Sequence, residues 1–461
     1  MNYGRSVIYT DAPEITINNV VDEVRTAIMT HEANRADIQT LYDYYRGKTA
    51  ILNKEKHVRE EINHKICENR AYEVASFYDG YIFGNPIQYV RRETAPSGDA
   101  DDEIAADINA LNGYMADASK AACDKKLGTW MHVGGTAYRM VLPNPKWTRD
   151  GDEPPFKLYA LDPRSTFVVK RRSVDETPIM GVHYVQKGHG EREFGVYTDK
   201  YYFEFSEFGK PIVVPNPLGM IPIIEYSRDA SARLGAYEVA VSLLDALNEL
   251  QSNRMDDIVQ FVNSFLVIMG GQLEEETYQK LTEYKLLCLP EGTDAKYLST
   301  SLNQTDIQTF KDDLYQAILT ICGVPNRGNG GGSSDNGVAV YLRDGFSEIE
   351  NRASTTETCF KESEKEFLKL ILRILRDTTG TRLRLTDIET HFTRRNYENI
   401  ASKSQVLISM LNNPKIHPEL AFSSSGMFVD PESAYLQSMA YYEEQMQKWE
   451  PVEINEDEDD V

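Results

Sequence analysis

The chain is organised around residues 237–342, which begin YEVAVSLLDALNELQSNRMDDIVQFVNSF and include the glycine-rich run NRGNGGGSSDNG at 326–337. In the first part, apolar residues recur at steps of three and four: Ala240, Leu244, Leu247, Leu250, Met255, Ile258, Val262 and Phe265. Polar residues fall on the other face: Asn248, Gln251, Asn253, Asp256, Asp257 and Gln260. This pattern predicts a long amphipathic helix.

A second helix is predicted from about Thr305 to Cys322, because apolar residues repeat the same period at Ile307, Phe310, Leu314, Ile318 and Ile321. It is expected to end at Gly323 and to give way to the glycine-rich loop. That loop holds too little apolar surface to repay the entropy of ordering. A polar loop between two strong helices favours a functional role.

The remaining elements are predicted from periodicity and turn residues. Between the two helices, residues 263–304 predict a small β/α insert with strands at 265–269, 286–289 and 297–298 and a helix at 274–285. Before them, an irregular arm at 1–20 precedes helices at 20–46, 60–81 and 102–133 and a short strand at 87–90. One antiparallel sheet is predicted within 136–226, and its named strands end at 214. After the loop we expect a helix at 338–376, a strand pair at 382–385 and 389–393, and helices at 399–411 and 431–449.

Composition excludes several classes of protein. The chain has 461 residues, with 49 Lys and Arg against 72 Asp and Glu, and a formal net charge of −23. That balance argues against a general nucleic-acid binder with a wide basic face, although it allows a protein that lets DNA pass without holding it. No apolar run is long enough for a transmembrane helix. The five cysteines are scattered, which favours a reducing compartment and argues against zinc and against a disulfide framework.

Signatures of catalysis are weak throughout the sequence. The eight histidines show no metal-ligand spacing, and no Gly-x-Ser-x-Gly elbow is present. Gly47-Lys48-Thr49 resembles the end of a phosphate-binding loop, but position 42 is tyrosine rather than the required glycine. We therefore predict no catalytic residue, no metal site and no cofactor, and that the chain is not an enzyme.

Several short motifs, taken in order, resemble one protein family. They are YYRGK at 44–48, GYIFGNPI at 80–87, GTAY at 135–138, LDPR at 161–164, IPIIEY at 221–226, GVP at 323–325 and NGVA at 336–339. Together with the helix–insert–helix–loop–helix core, they make the chain similar to the SPP1-like portal proteins of siphophages that infect Gram-positive hosts. The resemblance covers about residues 35–400.

The resemblance implies an α+β, multi-domain portal fold. An N-terminal arm and a mixed α/β wing would occupy 1–236, and a long helix with wing return strands would occupy 338–396. The stem helices would be 237–262 and 305–322, the clip 263–304, and the tunnel loop 323–337. A helical crown with an acidic tail would complete the chain at 397–461.

The resemblance also implies partners and a location. Copies of the chain would form a ring, usually of twelve subunits, at one vertex of the capsid, assembled in the host cytoplasm and retained in the virion. Double-stranded DNA would pass through the channel. The other partners would be the terminase large subunit, the head–tail adaptor, the scaffold and the major capsid protein, with no membrane involved.

Two groups of residues would then face DNA. In the tunnel loop these are Arg327, Asn329, Gly330, Gly331, Gly332, Ser333 and Asn336, with Arg327 as the only basic residue. On the stem helices, Asp256, Asp257, Asp312 and Asp313 would repel phosphates and leave the duplex free to slide. The alternative is that these aspartates only solvate an outer helix face.

Two other functions compete with the portal. A phage tail or adhesion component without a DNA channel would explain the β-rich middle, but not the paired long helices around a small insert. A nucleotide-handling enzyme would need the lysine that a phosphate-binding loop requires, and the glycine-rich run lacks it.

Overall fold

The three-dimensional structure is a computed structural model. It describes residues 3–57, 60–92, 100–149, 151, 153–188, 190–207, 209–262, 265–269, 294–298, 304–326, 346–393, 400–428 and 431–448.

The N-terminal half carries helices α1 (Val20–Tyr45), α2 (Arg70–Ile82), α3 (Ala100–Asp117) and α4 (Lys120–Gly134). Helix α4 packs against α1 and α2. The sequence predicted one helix at 102–133, but the chain turns between α3 and α4. Ser119 lies there in the left-handed region at φ 54°, which interrupts the helical hydrogen bonds.

The strands before residue 228 form a six-stranded and a three-stranded sheet, with one further strand outside both. In chain order they are β1 (Ile8–Thr10), β2 (Gln88–Arg91), β3 (Thr136–Pro143), β4 (Phe156–Leu161), β5 (Thr166–Arg171), β6 (Pro178–Gln186), β7 (Arg192–Tyr197), β8 (Tyr201–Ser206), β9 (Ile212–Pro215) and β10 (Ile223–Ser227). The large sheet has the order β1-β5-β6-β7-β8-β9 and the small one β10-β3-β4.

The predicted single antiparallel sheet is therefore wrong, although its strands lie where the sequence placed them. Strand β10 lies in the region predicted to form strands but was not given its own bounds, and by pairing with β3 it separates β3 and β4 from the larger sheet. Strand β1 lies in the arm that was expected to be irregular, and it runs parallel to β5. Alternation of apolar residues identifies a strand but not its partner.

The C-terminal half contains α5 (Val241–Val262), the antiparallel pair β11 (Phe265–Met269) and β12 (Asp294–Leu298), α6 (Gln304–Cys322), α7 (Phe346–Thr378), β13 (Ile388–His391), α8 (Ile400–Leu411), α9 (Pro418–Ser425) and α10 (Pro431–Lys448). This confirms the order of helix, insert strands and helix. The predicted insert helix at 274–285 and strand at 286–289 lie outside the described residues, as does the start of the long helix at 338–345.

Two further predicted elements are corrected. The helix expected at 60–81 begins only at Arg70, where Asn69 accepts a hydrogen bond from the Tyr72 N–H at 3.1 Å and caps it. The expected strand at 382–385 is not formed, because residues 385–387 make a 3₁₀ turn in which the Arg384 N–H donates to Asp387. Strand β13 pairs instead with the distant β2.

A large apolar cluster joins elements from the N-terminal and C-terminal halves of the chain. Its buried members come from α2, α4, α5, α6 and α7 and include Tyr78, Leu127, Leu247, Ile318 and Phe367. A second cluster lies between α1 and the six-stranded sheet. The large cluster fixes α5 and α6 against α2, α4 and α7.

A buried ionic cluster lies within this core. The side chains of Arg139 on β3, Glu364 on α7, and Lys120 and Asp124 on α4 are all at most 4% exposed. Arg139 pairs with Glu364 at 3.1 Å and with Asp124, and Lys120 pairs with Asp124 at 2.6 Å and with Glu364 at 2.9 Å. The hydroxyls of Tyr89 and Tyr226 also donate to Glu364, at 2.6 and 2.8 Å. Two positive and two negative groups balance, so the cluster connects α7 to α4 and β3 without a net buried charge.

Candidate functional site

Helices α5 and α6 pack against each other, and we call them the stem pair. Their inward apolar residues are buried in the large cluster: Leu244, Leu247, Leu314, Ile318, Leu319 and Cys322. Other residues of the predicted apolar stripes lie on the surface, namely Met255 (37% exposed), Ile258 (37%), Phe310 (55%) and Ile321 (43%). The stem pair therefore buries one side against the wing and keeps a partly apolar outer surface.

An extended segment, residues 62–69, lies along α5, and we call it the strap. Three side chains spaced four residues apart on α5 accept hydrogen bonds from alternate N–H groups of the strap. Asn248 accepts from Glu68 at 2.8 Å, Ser252 from Ile66 at 2.9 Å, and Asp256 from His64 at 2.8 Å.

The spacing of these three bonds has a simple geometric cause. Four residues of an α-helix advance about 6 Å, at 1.5 Å per residue. Two residues of extended chain advance about 6.6 Å. Because the two repeats are nearly equal, three successive hydrogen bonds stay in register. The strap therefore pairs its backbone N–H groups with side chains of a helix rather than with a neighbouring strand.

Asp256 is the most heavily bonded of the three acceptors. Its carboxylate is 1% exposed and also contacts Lys56 at 2.8 Å, Lys54 at 3.1 Å and the His64 Nδ1 at 2.8 Å. Burial acts to raise the pKa of Asp256. Hydrogen bonds from Lys56, from His64 and from Lys54 outweigh it and hold that pKa well below its usual range.

The strap also connects the two stem helices to each other. At its end, Glu68 accepts from Gln251 of α5 at 2.5 Å and pairs with Lys311 of α6 at 2.7 Å. The next residue but one, Arg70, lies over the ring of Tyr315 on α6 at 4.1 Å. Burial opposes ionisation of Glu68, but Lys311 and the neighbouring donors leave its pKa lowered. These contacts make the strap and the stem pair one unit.

The four aspartates proposed from the sequence fall into two groups. Asp257, Asp312 and Asp313 are exposed. Asp256 is buried, and its charge is matched by lysines of the same chain, so the proposal of channel-lining charges is carried by the other three. The exposed carboxylates keep the proposed role; Asp312 accepts one hydrogen bond, from Gln308 at 2.8 Å.

The tunnel-loop residues Arg327, Asn329, Gly330, Gly331, Gly332, Ser333 and Asn336 lie outside the described residues. The end of α6, just before them, is described. The Tyr78 hydroxyl donates to the Cys322 carbonyl, and Arg352 of α7 donates to the Ile321 carbonyl, both at 2.8 Å. Gly323 follows at φ +68°, against the Arg352 side chain. Residues from α2 and α7 thus cap the stem helix from which the loop leaves.

Sequence reasoning missed the strap and its partners on α5. Asn248 and Asp256 were placed on the polar face of an amphipathic helix and Ser252 was not singled out, whereas all three are buried. A signal was present, because three short acceptor side chains recur every four residues on one side of the helix. That spacing indicates a docked backbone as readily as a solvated face.

Within the ranges that the structure describes, no group of three or more His, Cys, Asp or Glu side chains is arranged to hold a metal ion. Cys67, Cys123, Cys322 and Cys359 are free thiols. None of the described helices is both long enough and apolar enough to cross a membrane.

The architecture defines an α+β protein whose central feature is a helix pair packed against the helices α2, α4 and α7. An insert lies at one end of the pair and a glycine-rich stretch follows the other. The family described as phage portal protein, SPP1 Gp6-like, matches residues 26–459. The chain therefore belongs to this family of portal proteins. The match is longer than the stretch of about 35–400 recognised from motifs, and it includes the C-terminal helices.

Solved structures give a more distant likeness. One is the neck of an empty GTA particle computed with C6 symmetry, with 14% identity, a TM-score of 0.45, and coverage of 78% of this chain and 90% of that one. Another is the neck of a native GTA particle computed with C12 symmetry, with 13% identity, a TM-score of 0.42, and coverage of 78% and 89%. Comparison with the curated proteins finds no match. The assignment rests on the family match.

Membership of this family confirms the predicted portal function, in which copies of the chain form a ring in the phage particle. It likewise confirms the α+β portal fold, and the family is a structural one. The rival interpretation as a tail or adhesion component has no observation in its favour.

Proposed function

We propose that the chain forms a closed ring of twelve copies at one capsid vertex, through which double-stranded DNA is packaged and later ejected. The observation that carries the proposal is the family match over residues 26–459, which includes the whole stem pair. The strap supports it, because a channel wall must stay fixed to the wing while DNA moves past.

The outer surface of the stem pair supports self-association. Met255 and Ile258 on α5 and Phe310 and Ile321 on α6 are apolar and 37–55% exposed in the single chain. In a ring, each copy presents two different faces to its two neighbours, so such surfaces are covered by heterologous contacts.

The exposed carboxylates support a channel that does not grip DNA. Asp257, Asp312 and Asp313 are exposed on the stem pair, and repeated around a ring they would place a band of negative charge near the duplex. DNA carries about one charge per 1.7 Å of axis, so basic walls would bind it through counterion release and acidic ones would not. Arg327 in the tunnel loop is proposed to touch phosphates in passing. Arg327→Ala tests this role, which fails if packaged length and rate do not change.

The remaining partners are assigned to separate parts of the chain. We propose that the clip at 263–304, which contains the pair β11 and β12, faces the terminase large subunit during packaging and the head–tail adaptor afterwards. The wing at 1–236 and 338–396 would face the scaffold and the major capsid protein. The stem at 237–262 and 305–322, the tunnel loop at 323–337 and the crown at 397–461 complete the division. Assembly would take place in the host cytoplasm.

The ring itself is tested by native mass spectrometry and negative-stain electron microscopy of the purified full chain, alone and co-expressed with the scaffold and capsid proteins of its phage. We expect a ring of about twelve copies with a central hole that admits a DNA duplex. A closed dimer or trimer without a channel, or a monomer under both conditions, would overturn the proposal.

A further inference from the structure

The C-terminal helices α8, α9 and α10 form a unit with little core of its own. Helix α9 packs against α8 and α10. In the described part of 400–448, the buried apolar side chains are Ala421 and Phe422. None of the apolar clusters among the described residues includes a residue after Phe392.

This unit nevertheless exposes many large apolar side chains. They are Val406 (48%), Ile408 (50%), Leu411 (42%), Leu420 (59%), Leu436 (57%), Tyr441 (65%), Tyr442 (58%) and Met446 (55%). A segment of fewer than about 70–80 residues rarely stabilises itself with a single core, and this one buries far less than a full core. Its stability therefore calls for contacts beyond those that the described part of one chain provides.

The reason for part of this exposure is a difference in helix length. Tyr435, Met439, Tyr442 and Met446 follow one stripe of α10, at steps of four, three and four. Tyr435 packs against Phe422, with ring centroids 5.9 Å apart. At 1.5 Å per residue, α9 is about 12 Å long and α10 about 27 Å. The second half of the stripe, with Tyr442 and Met446, therefore extends beyond α9 and remains exposed.

A second apolar face lies on α8. Ile408 and Leu411 are three residues apart on α8 and therefore share one face of the helix. Leu420 is exposed near the start of α9. One chain thus carries both the uncovered stripe of α10 and a second apolar face against which such a stripe can pack.

We propose that the stripe of Tyr442 and Met446 on one copy packs against Ile408, Leu411 and Leu420 of the adjacent copy. The contact is heterologous and repeats from copy to copy, which is what ring closure requires. It gives the C-terminal unit a shared core that forms only on assembly. This inference rests on the proposed ring and adds where its copies meet.

Cross-linking of the full-length ring tests the contact. The native cysteines all precede residue 400, so Met446→Cys with Ile408→Cys introduces the only thiols in the C-terminal unit. A short bismaleimide should link copies into a ladder of multiples on a denaturing gel. Gln437→Cys with Ile408→Cys is the matched control, because Gln437 is exposed on α10 but lies away from the stripe. Each single-cysteine variant sets the background from native thiols.

A second variant measures the energetic role of the same contact. Met446→Asp places a charge on a side chain that is already 55% exposed, so the isolated chain should fold with an unchanged circular dichroism spectrum. We expect its association into rings to weaken at least tenfold, measured by native mass spectrometry over a concentration series.

The outcomes separate this contact from the ring proposal. The contact is overturned, with the ring intact, by any of three results: rings of the Met446→Cys and Ile408→Cys double variant that give no ladder, an equal ladder from the control pair, or full assembly of the Met446→Asp variant. Failure of the wild-type chain to form rings, alone and with its scaffold, would overturn the proposed function itself.

Discussion

Asp256 accepts two hydrogen bonds from His64, one from the backbone N–H and one from the ring Nδ1, each at 2.8 Å. The two residues lie 192 positions apart in the chain. Their contact fixes one end of the strap to the stem helix α5, and the same carboxylate is neutralised by Lys54 and Lys56. An aspartate proposed to face DNA therefore helps to connect the wing to the stem.

Asp256→Ala should destabilise the folded chain by about 2–4 kcal/mol, because it leaves buried donors without an acceptor and two lysines without their partner. Asp257→Ala, at the adjacent exposed position, should change the free energy of unfolding by no more than about 0.5 kcal/mol. Urea unfolding of both variants measures the difference. Similar values for the two would mean that the strap contributes little to stability.

The contribution of Asp256 should depend on pH in one direction. Its pKa in the folded chain lies below the ordinary value of 3.8. Its stabilisation is therefore complete above that value and is lost as the pH falls from there through the lower pKa of the folded chain. The difference in unfolding free energy between wild type and Asp256→Asn should be constant between about pH 5 and pH 7 and should shrink below about pH 4. A difference that grows on acidification would contradict this sign. Asp257→Asn serves as the control.

Glu364→Ala should destabilise the chain by about 3–5 kcal/mol, since it leaves Arg139 and Lys120 buried with one carboxylate between them. Burial by itself would raise the pKa of Glu364, but Arg139 and Lys120 lower it overall, so the charged form is the one removed. Glu362→Ala, at an exposed position of the same helix, should have an effect within about 0.5 kcal/mol. Thermal unfolding of the pair checks this, and equal melting temperatures would show that the ionic cluster is dispensable.

Gly323→Ala should destabilise the end of α6 by about 1–3 kcal/mol, because φ is +68° there and a Cβ would lie 2.5 Å from the Arg352 Cδ. Gly80→Ala is the matched control. It lies within α2 with nothing within 4 Å of its added Cβ, and it should be neutral or stabilising by up to about 1 kcal/mol. Hydrogen exchange at the last turn of α6 should rise in the first variant only. Unchanged exchange there would show that Gly323 is not needed to cap the helix.

Removing the exposed carboxylates should slow DNA movement. In the triple variant Asp257→Asn, Asp312→Asn and Asp313→Asn, reduced repulsion should lower the packaging rate and make that rate more sensitive to low salt. Packaged DNA length and rate in particles carrying the variant provide the measurement. Wild-type behaviour at all salt concentrations would favour the alternative that these residues only solvate the helix surface.

The spacing of apolar residues in the sequence was sufficient to predict much of the architecture. The three- and four-residue steps placed α5 at 241–262 and α6 at 304–322 to within a few residues. They could do so because the buried face of an amphipathic helix repeats every three to four residues. Most strands between 136 and 215 were located in the same way. The ordered motifs added the family, which the match over residues 26–459 then showed.

The candidate site was predicted less completely, because its key contacts join residues far apart in the chain. The apolar residues Ile62 and Ile66 have helical spacing, yet their segment is extended because side chains of α5 accept its backbone N–H groups. The spacing of polar residues in a sequence does not distinguish a solvated helix face from one that binds another backbone.

The sequence alone determined the class of fold, the order of its parts and the family, since these follow from periodicity and from short motifs read in order. The tertiary structure decided which acidic residue is free and which is paired, which strands share a sheet, and which apolar stripes remain uncovered. The physical reason is that charge pairing, strand pairing and burial are properties of two surfaces in contact, and only the folded chain brings both surfaces together.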